Sequence, residues 1–217
     1  MTSQATRVWP AVFTVATLAG ASSGIVCLIK PGDWLWSLVW LEALLAVAVV
    51  VPMLLARRHL AIGRTATLVL GAFTLVSVTG HRVARPQMLW SFVPTPAALS
   101  TIDAQMRHGI AAISTTVRPV TNADFFLALV LVALGLLTFI GLILGVVANQ
   151  PVWVGLPALA AWLVFLTAEP GQSPVAPGLT ALAFLLLVAT GYGRRRAYLG
   201  RTAVVAFSTA VDRKSVV

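Results

Sequence analysis

One cysteine, three histidines and six acidic residues are all that this 217-residue chain offers of the side chains on which most hydrolytic, redox and metal chemistry depends. A lone Cys27 excludes an intrachain disulfide, and its place near the end of an apolar stretch suits a small buried side chain better than a nucleophile. His59 and His108 lie far apart in sequence, with no carboxylate or cysteine at metal-ligand spacing, so neither a metal site nor a cofactor is expected. No Walker loop, nucleophile elbow or Cys-His-Asp constellation appears, so the expectation is that the chain is not by itself an enzyme. Charge is scarce too, at 10% of residues, whereas 59% are hydrophobic. A water-soluble domain of this length could not cover that much apolar surface.

What fills the chain instead is six apolar stretches, 8–29, 34–55, 60–79, 125–148, 152–168 and 178–192, divided three and three by a polar segment. Crossing a hydrocarbon core of about 30 Å takes about 20 helical residues, with about 17 near the lower limit. The first, second and fourth stretches meet that length, while the third, fifth and sixth are short or interrupted. Apolar runs this long, with little alternation of polar residues, satisfy their backbone as helices and not as a barrel. The expected fold is therefore all-α, a multi-pass transmembrane bundle of about six spans with one extracytoplasmic amphipathic helix.

The net charge of +9 does not point to nucleic acid, because the basic residues flank the ends of spans and form no stripe on a soluble face. With alternating spans, Arg7, Arg57, Arg58, Arg64, Arg194, Arg195, Arg196 and Arg201 fall on one side. Lys30, Arg82, Arg85, Arg107 and Arg118 fall on the other. The denser clusters belong to the first set, which predicts a cytoplasmic N-terminus. Arg7 precedes the first span, but Lys30-Pro31-Gly32 leads straight into the next, so that span is expected to stay as an anchor and not to be cleaved as a signal.

Organisation follows from the punctuation. Residues 1–79 hold three helices, with Pro31-Gly32-Asp33 as a tight turn and Trp34, Trp36 and Trp40 at an interfacial aromatic belt. Residues 80–124 form the extracytoplasmic segment. After Pro94-Thr95-Pro96, Leu99, Ile102, Met106, Ile110, Ile113 and Val117 recur at spacings of three and four, and Pro119 closes the pattern. The helix so predicted lies on the outer leaflet or across the mouths of the other helices, in contact with lipid or with protein. Residues 125–193 hold three more helices, with Asn149-Gln150-Pro151 as a short inner turn and 169–174 as the matching outer one. Gly20 and Gly24, and Gly141 and Gly145, are four apart and make small faces for close helix packing. Residues 194–211 are a basic cytoplasmic segment and the start of a seventh span. The last six residues, 212–217, translate GATCGGAAGAGCGTCGTG, a run found in a widely used sequencing adapter. A reading frame cut by adapter read-through is the expectation there, and a genuine polar tail is the alternative.

Two places carry candidate function. Glu42 is the only acidic residue well inside a span, about 12 Å from the Trp34 end. An ionised carboxylate there must face the bundle interior, be paired, or be protonated. It reads either as a proton or cation site or as a hydrogen-bonded structural residue. His81, Arg82 and Arg85 cluster at the outer end of the third span, followed by Trp90 and Phe92. They suit interfacial anchoring, or binding of an anionic headgroup or an acidic partner domain.

The run Phe92-Val93-Pro94-Thr95-Pro96-Ala97-Ala98-Leu99, then Arg118-Pro119-Val120, the fourth span, Gly155-Leu156-Pro157-Ala158-Leu159 and Gly193-Arg194-Arg195-Arg196 together resemble a known group. The chain is similar to the N-terminal membrane domain of TgpA-type transglutaminase-like proteins, particularly actinobacterial ones, and the likeness is strongest from Val93 to Arg196. The resemblance implies several N-terminal helices ahead of an extracytoplasmic domain with a Cys-His-Asp triad, which this chain does not contain. It carries no catalytic residue over to this sequence. The expected partners are the lipid bilayer and the protein's own extracytoplasmic domain, with no nucleic acid. A small permease or transporter subunit using Glu42 is the alternative function.

Overall fold

The computed structural model describes residues 5–27, 29, 32–55, 60–112, 124–168 and 177–190. Among them there is no strand; they form seven helices and a few short turns of tighter or wider helix. The helices are α1 (Ala5–Ser22), α2 (Asp33–Leu55), α3 (Leu60–Val83), α4 (Pro96–Ala112), α5 (Asp124–Leu142), α6 (Gly155–Ala168) and α7 (Pro177–Thr190). The fold is the expected all-α bundle.

Three of these helices are long and apolar enough to cross a membrane: 33–55, 61–83 and 126–147. Three shorter apolar helices, Trp9–Ile25, Pro151–Leu163 and Pro177–Thr190, accompany them. The long set differs from the expected one at two places. The first stretch is interrupted, because α1 ends at Ser22 and tightens into a 3-10 turn over Ser23–Cys27. There the Ser23 hydroxyl donates to the Gly20 carbonyl at 2.7 Å, which offers the backbone an alternative to helical pairing. The third stretch is longer than expected, since Gly80 does not break it and α3 runs on to Val83. His81 and Arg82 occupy its last turn, where the helix dipole favours positive charge.

The centre of the bundle is α5, 50% of whose span is buried inside the protein, against 22% of the spans of α2 and α3. On α2, Trp34, Leu38, Leu41, Leu45 and Val49 repeat at three and four residues and make one seam toward the core. Trp34 is therefore a core residue, 7% exposed, and only Trp36 and Trp40 of the expected aromatic belt face outward. On α3 the small residues Gly63, Thr67 and Gly71 are spaced by four and all buried, Thr67 beside α2 and Gly71 against Phe139 of α5. The Thr67 hydroxyl donates to the Val49 carbonyl across this contact at 3.4 Å. The opposite surfaces of the helices stay apolar and exposed, as at Val47, Leu55, Ile62, Val69 and Leu159. Water would penalise so continuous an apolar exterior, whereas hydrocarbon does not.

The paired glycines do mark close packing. A Cβ on Gly141 would fall 2.5 Å from Leu18 Cδ2 of α1, and one on Gly145 would fall 2.5 Å from Thr14 Oγ1 and 2.9 Å from Val154. Beyond Leu142 the helix widens into one π turn, Ile143–Val147, and ends at Asn149, whose φ of 53° is the left-handed conformation of a helix stop. Pro151 then opens a 3-10 turn leading into α6, so the expected short turn at 149–151 is present. Finally, α7 joins through Thr180 against Gly20 and Phe184 against Gly155.

The polar segment has its own order. Thr95 caps α4 by accepting from the Ala98 amide at 3.2 Å, while its hydroxyl donates to the Gln87 carbonyl. Ala84, Met88 and Ala98 form a small separate core. The helix predicted from the apolar stripe exists, but only part of the stripe, Ile102 and half-buried Met106, belongs to its packed face. Ala98, Ile102 and Gly109 are buried where α4 meets α5 and α3, whereas Leu99 and Ile110 are exposed. Small side chains at Ala98 and Gly109 let α4 approach its neighbours closely, while Leu99 and Ile110 face outward. Ile113, Val117, Pro119, the 169–174 turn and everything after Thr190 lie outside the described residues.

Gly145→Ala is expected to destabilise the bundle by about 1–3 kcal/mol, because stiff β-branched Thr14 and Val154 cannot move aside. Gly178→Ala, where an added Cβ meets nothing within 4 Å, should leave it unchanged. Reversible unfolding of both variants in detergent micelles measures the difference.

Candidate functional site

Glu42 lies on the flank of the α2 seam and is half-buried. Two hydroxyls from other helices reach its carboxyl group. Thr138 of α5, 4% exposed, donates to Oε1 at 3.4 Å, and Ser22 at the end of α1 is a second hydrogen-bonding partner. Three helices thus meet at one polar point inside an apolar interior, with Leu18, Leu41 and Phe139 in the surrounding core. Among the described residues no charged group is paired with Glu42. The arrangement joins helices, and it can also hold a proton or a small cation between one carboxyl and two hydroxyls.

The second candidate region is at the opposite edge of α2. Since α2 and α3 run antiparallel, the N-terminus of α2 and the C-terminus of α3 come to the same end of the bundle, and a cleft of about 640 Å³ opens between them. Trp36, Trp40 and Leu44, four residues apart, line one wall. Phe73, Ser77 and His81, also four apart, line the other. Asp33 and Arg82 stand at the end of the cleft where the helices terminate, and each sits at the helix end whose dipole its charge complements. Ser77 is 7% exposed and its hydroxyl has no hydrogen-bond partner among the described residues.

A rigid turn closes over this end. The Leu89 and Val93 backbones pair in both directions, at 3.0 and 2.9 Å, and the Phe92 amide bonds the Leu89 carbonyl. Trp90 and Ser91 between them have φ of 49° and 64°, the geometry of a type I′ turn, here built without glycine. Each such residue costs on the order of 1–3 kcal/mol unless its surroundings impose it. His81 is one source of that restraint. Its Nδ1 lies 2.9 Å from the Ser91 carbonyl, which can only accept, so Nδ1 carries the proton and Nε2 stays available. The His81 ring also stacks on Phe92, with centroids 5.2 Å apart and planes 2° from parallel.

The three basic candidates therefore separate. His81 and Arg82 line the cleft, while Arg85 sits exposed in the short 3-10 turn Arg85–Gln87 and is not among its lining residues. Glu42 belongs to a different face of α2 altogether. Sequence reading did not connect Asp33, Ser37 or Ser77 with His81 and Arg82. The signal was available in the antiparallel hairpin, which brings residues near 33 beside residues near 82, and in the fourfold spacing of Trp36, Trp40 and Leu44. Among the described residues no three histidine, cysteine, aspartate or glutamate side chains converge as metal ligands. His59 lies outside those residues, and His108 is exposed on α4.

Compared with known proteins, the chain matches no family, no curated sequence and no solved structure.

If the Glu42 contact is a helix-joining hydrogen bond, Glu42→Leu and Thr138→Val in a double-mutant cycle should couple by about 0.6 kcal/mol, the average for such bonds within membranes. Unfolding free energies of the four proteins in micelles give the coupling, and a value of zero removes the contact from the account.

Proposed function

We propose that this chain is a membrane-embedded anchoring domain of the TgpA-type transglutaminase-like kind, which holds an extracytoplasmic catalytic domain close to the bilayer. The observation that carries the anchoring is the bundle's exterior. Large apolar side chains face outward on α2, α3, α5 and α6, around a core whose backbone is satisfied within helices. The kinship rests on the likeness of the runs at 92–99, 118–120, 155–159 and 193–196.

In this reading six helices cross a bacterial inner membrane and the N-terminus is cytoplasmic, so that the 80–124 segment lies outside. The shorter helices α1 and α6 cross by packing against α5, which supplies along its glycine seam contacts that their lengths alone do not, and α7 packs in turn on α1 and α6. The mechanism is positional: a rigid outer-end platform of α4 and the 84–95 turn limits the volume that a tethered catalytic domain explores.

Single cysteines introduced at Ser100 and at Arg57 in the Cys27→Ser protein test the topology. A membrane-impermeant thiol reagent applied to intact cells should label position 100 and leave position 57 unlabelled until the cells are opened; the reverse pattern overturns the orientation. Sequencing the genomic locus past codon 217 tests the kinship, which requires a downstream domain with a Cys-His-Asp triad and fails if a stop codon follows Val217.

A second reading, a small permease or transporter subunit, is favoured by one observation, the carboxyl group of Glu42 held between hydroxyls of α1 and α5. It predicts that Glu42→Gln abolishes proton- or cation-coupled uptake in proteoliposomes of the intact protein. Unchanged coupling eliminates it.

A further inference from the structure

The cleft between α2 and α3 is charged at one end only and mostly apolar beyond it, with the hydroxyls of Ser37, Thr74 and Ser77 as the polar groups along its walls. Asp33 to Leu44 spans eleven residues, so the cleft extends about 16 Å along α2 at 1.5 Å per residue. Its charged end lies where the helices terminate. Its other end, at Leu44 and Phe73, lies deep along the spans. Trp36 and Trp40 are 68% and 62% exposed, so the slot opens sideways onto the surface that faces lipid. A volume of about 640 Å³ falls within the range of about 300–1,000 Å³ usual for pockets that hold small molecules.

The charges at the open end are of both signs. Arg82 is exposed and Asp33 is exposed, and neither has an ion-pair partner among the described residues. An anionic headgroup alone would be drawn to Arg82, yet it would meet the Asp33 carboxylate and the lone pair of His81 Nε2 at the same end. A headgroup with a phosphate and a primary amine satisfies both, the phosphate on Arg82 and the ammonium on Asp33, through charge-assisted hydrogen bonds, with the lone pair of His81 Nε2 a further acceptor for the ammonium. A quaternary ammonium has no N–H to donate to Asp33. Ser77, whose hydroxyl has no partner, adds a donor and acceptor below the headgroup for a glycerol or ester oxygen. The stacked His81–Phe92 pair and the strained 90–91 turn hold this end in place before anything binds, which reduces the ordering that binding would otherwise require.

We propose that the cleft is a binding site for one phospholipid carrying a phosphate–primary amine headgroup, with an acyl chain laid along Trp36, Trp40, Leu44 and Phe73. The site rests on membrane residence and not on the transglutaminase reading. A native gene without a downstream catalytic domain would therefore leave it standing.

The full chain, purified in detergent and titrated with dioctanoyl-phosphatidylethanolamine under native mass spectrometry, should take up one lipid saturably. Dioctanoyl-phosphatidylglycerol should bind at least tenfold more weakly, and inorganic phosphate should not compete at the same concentration. Arg82→Gln should weaken phosphatidylethanolamine binding tenfold or more. Asp33→Asn should erase the preference between the two lipids. Both residues are exposed, so these variants should keep the parent's unfolding midpoint, which is measured alongside. Equal binding of the two lipids by the parent protein overturns the proposal, as does phosphatidylethanolamine binding that survives both substitutions. Inorganic phosphate competing as well as the lipid reassigns the site to a free anion and overturns it too.

Discussion

Every other feature of this protein depends on how closely α5 can approach its neighbours. In an apolar surrounding, helices gain nothing from hiding apolar surface from one another, since the lipid is as apolar as the partner helix. What holds them is contact density and the few hydrogen bonds that cross between them. At Gly141 and Gly145 the backbone of α5 comes within side-chain contact of Leu18 and Thr14, and α1 follows it along that seam. The shorter helices α1, α6 and α7 have their place because of this arrangement, in which the long central helix is half buried and the outer pair α2 and α3 mostly face outward.

The polar residues divide into two uses. Thr14 and Thr17 return their hydroxyls to carbonyls of their own helix, at 2.7 Å each, and so add no polarity to the bundle. Thr67, Thr138 and Ser22 reach across to other helices and act as joints. Glu42 belongs to the second group, linking three helices where a carboxyl group alone would be a costly guest. Ser77 and Thr79 of α3 belong to neither, since neither hydroxyl has a partner among the described residues, and that of Ser77 lies beside the α2–α3 cleft.

The segment between α3 and α4 shows how a stretch that reads as a polar connector becomes a structured cap. Gly80 carries α3 past its apolar part, and an added Cβ there would lie 2.6 Å from Met88 Sδ, so its lack of a side chain admits Met88 beneath the turn. Met88, Ala84 and Ala98 then form a core of their own, and Thr95 ties the turn to the start of α4. The consequence is a fixed surface at one end of the bundle, carrying Trp90 and Phe92 outward and His81 inward against the turn.

Much of the fold was legible in the residues themselves. Long apolar runs require helices because backbone groups in hydrocarbon must be paired internally, and glycines spaced by four require a close neighbour because they expose bare backbone on one face. The apolar stripe on α4, the length of the first span and the role of Trp34 were not legible. Each depends on which face a neighbour covers, and periodicity marks an apolar face without saying whether protein or lipid lies against it. The same holds for the sites. Glu42 was evident as a lone carboxylate in an apolar run, since its cost is a property of its own position. Its hydroxyl partners lie on other helices, 20 residues before it and 96 after it. Likewise His81 and Arg82 were visible as a basic cluster, but only the antiparallel pairing of α2 and α3 set Asp33 and two tryptophans beside them, because helix ends distant in sequence become neighbours only when the chain turns back on itself.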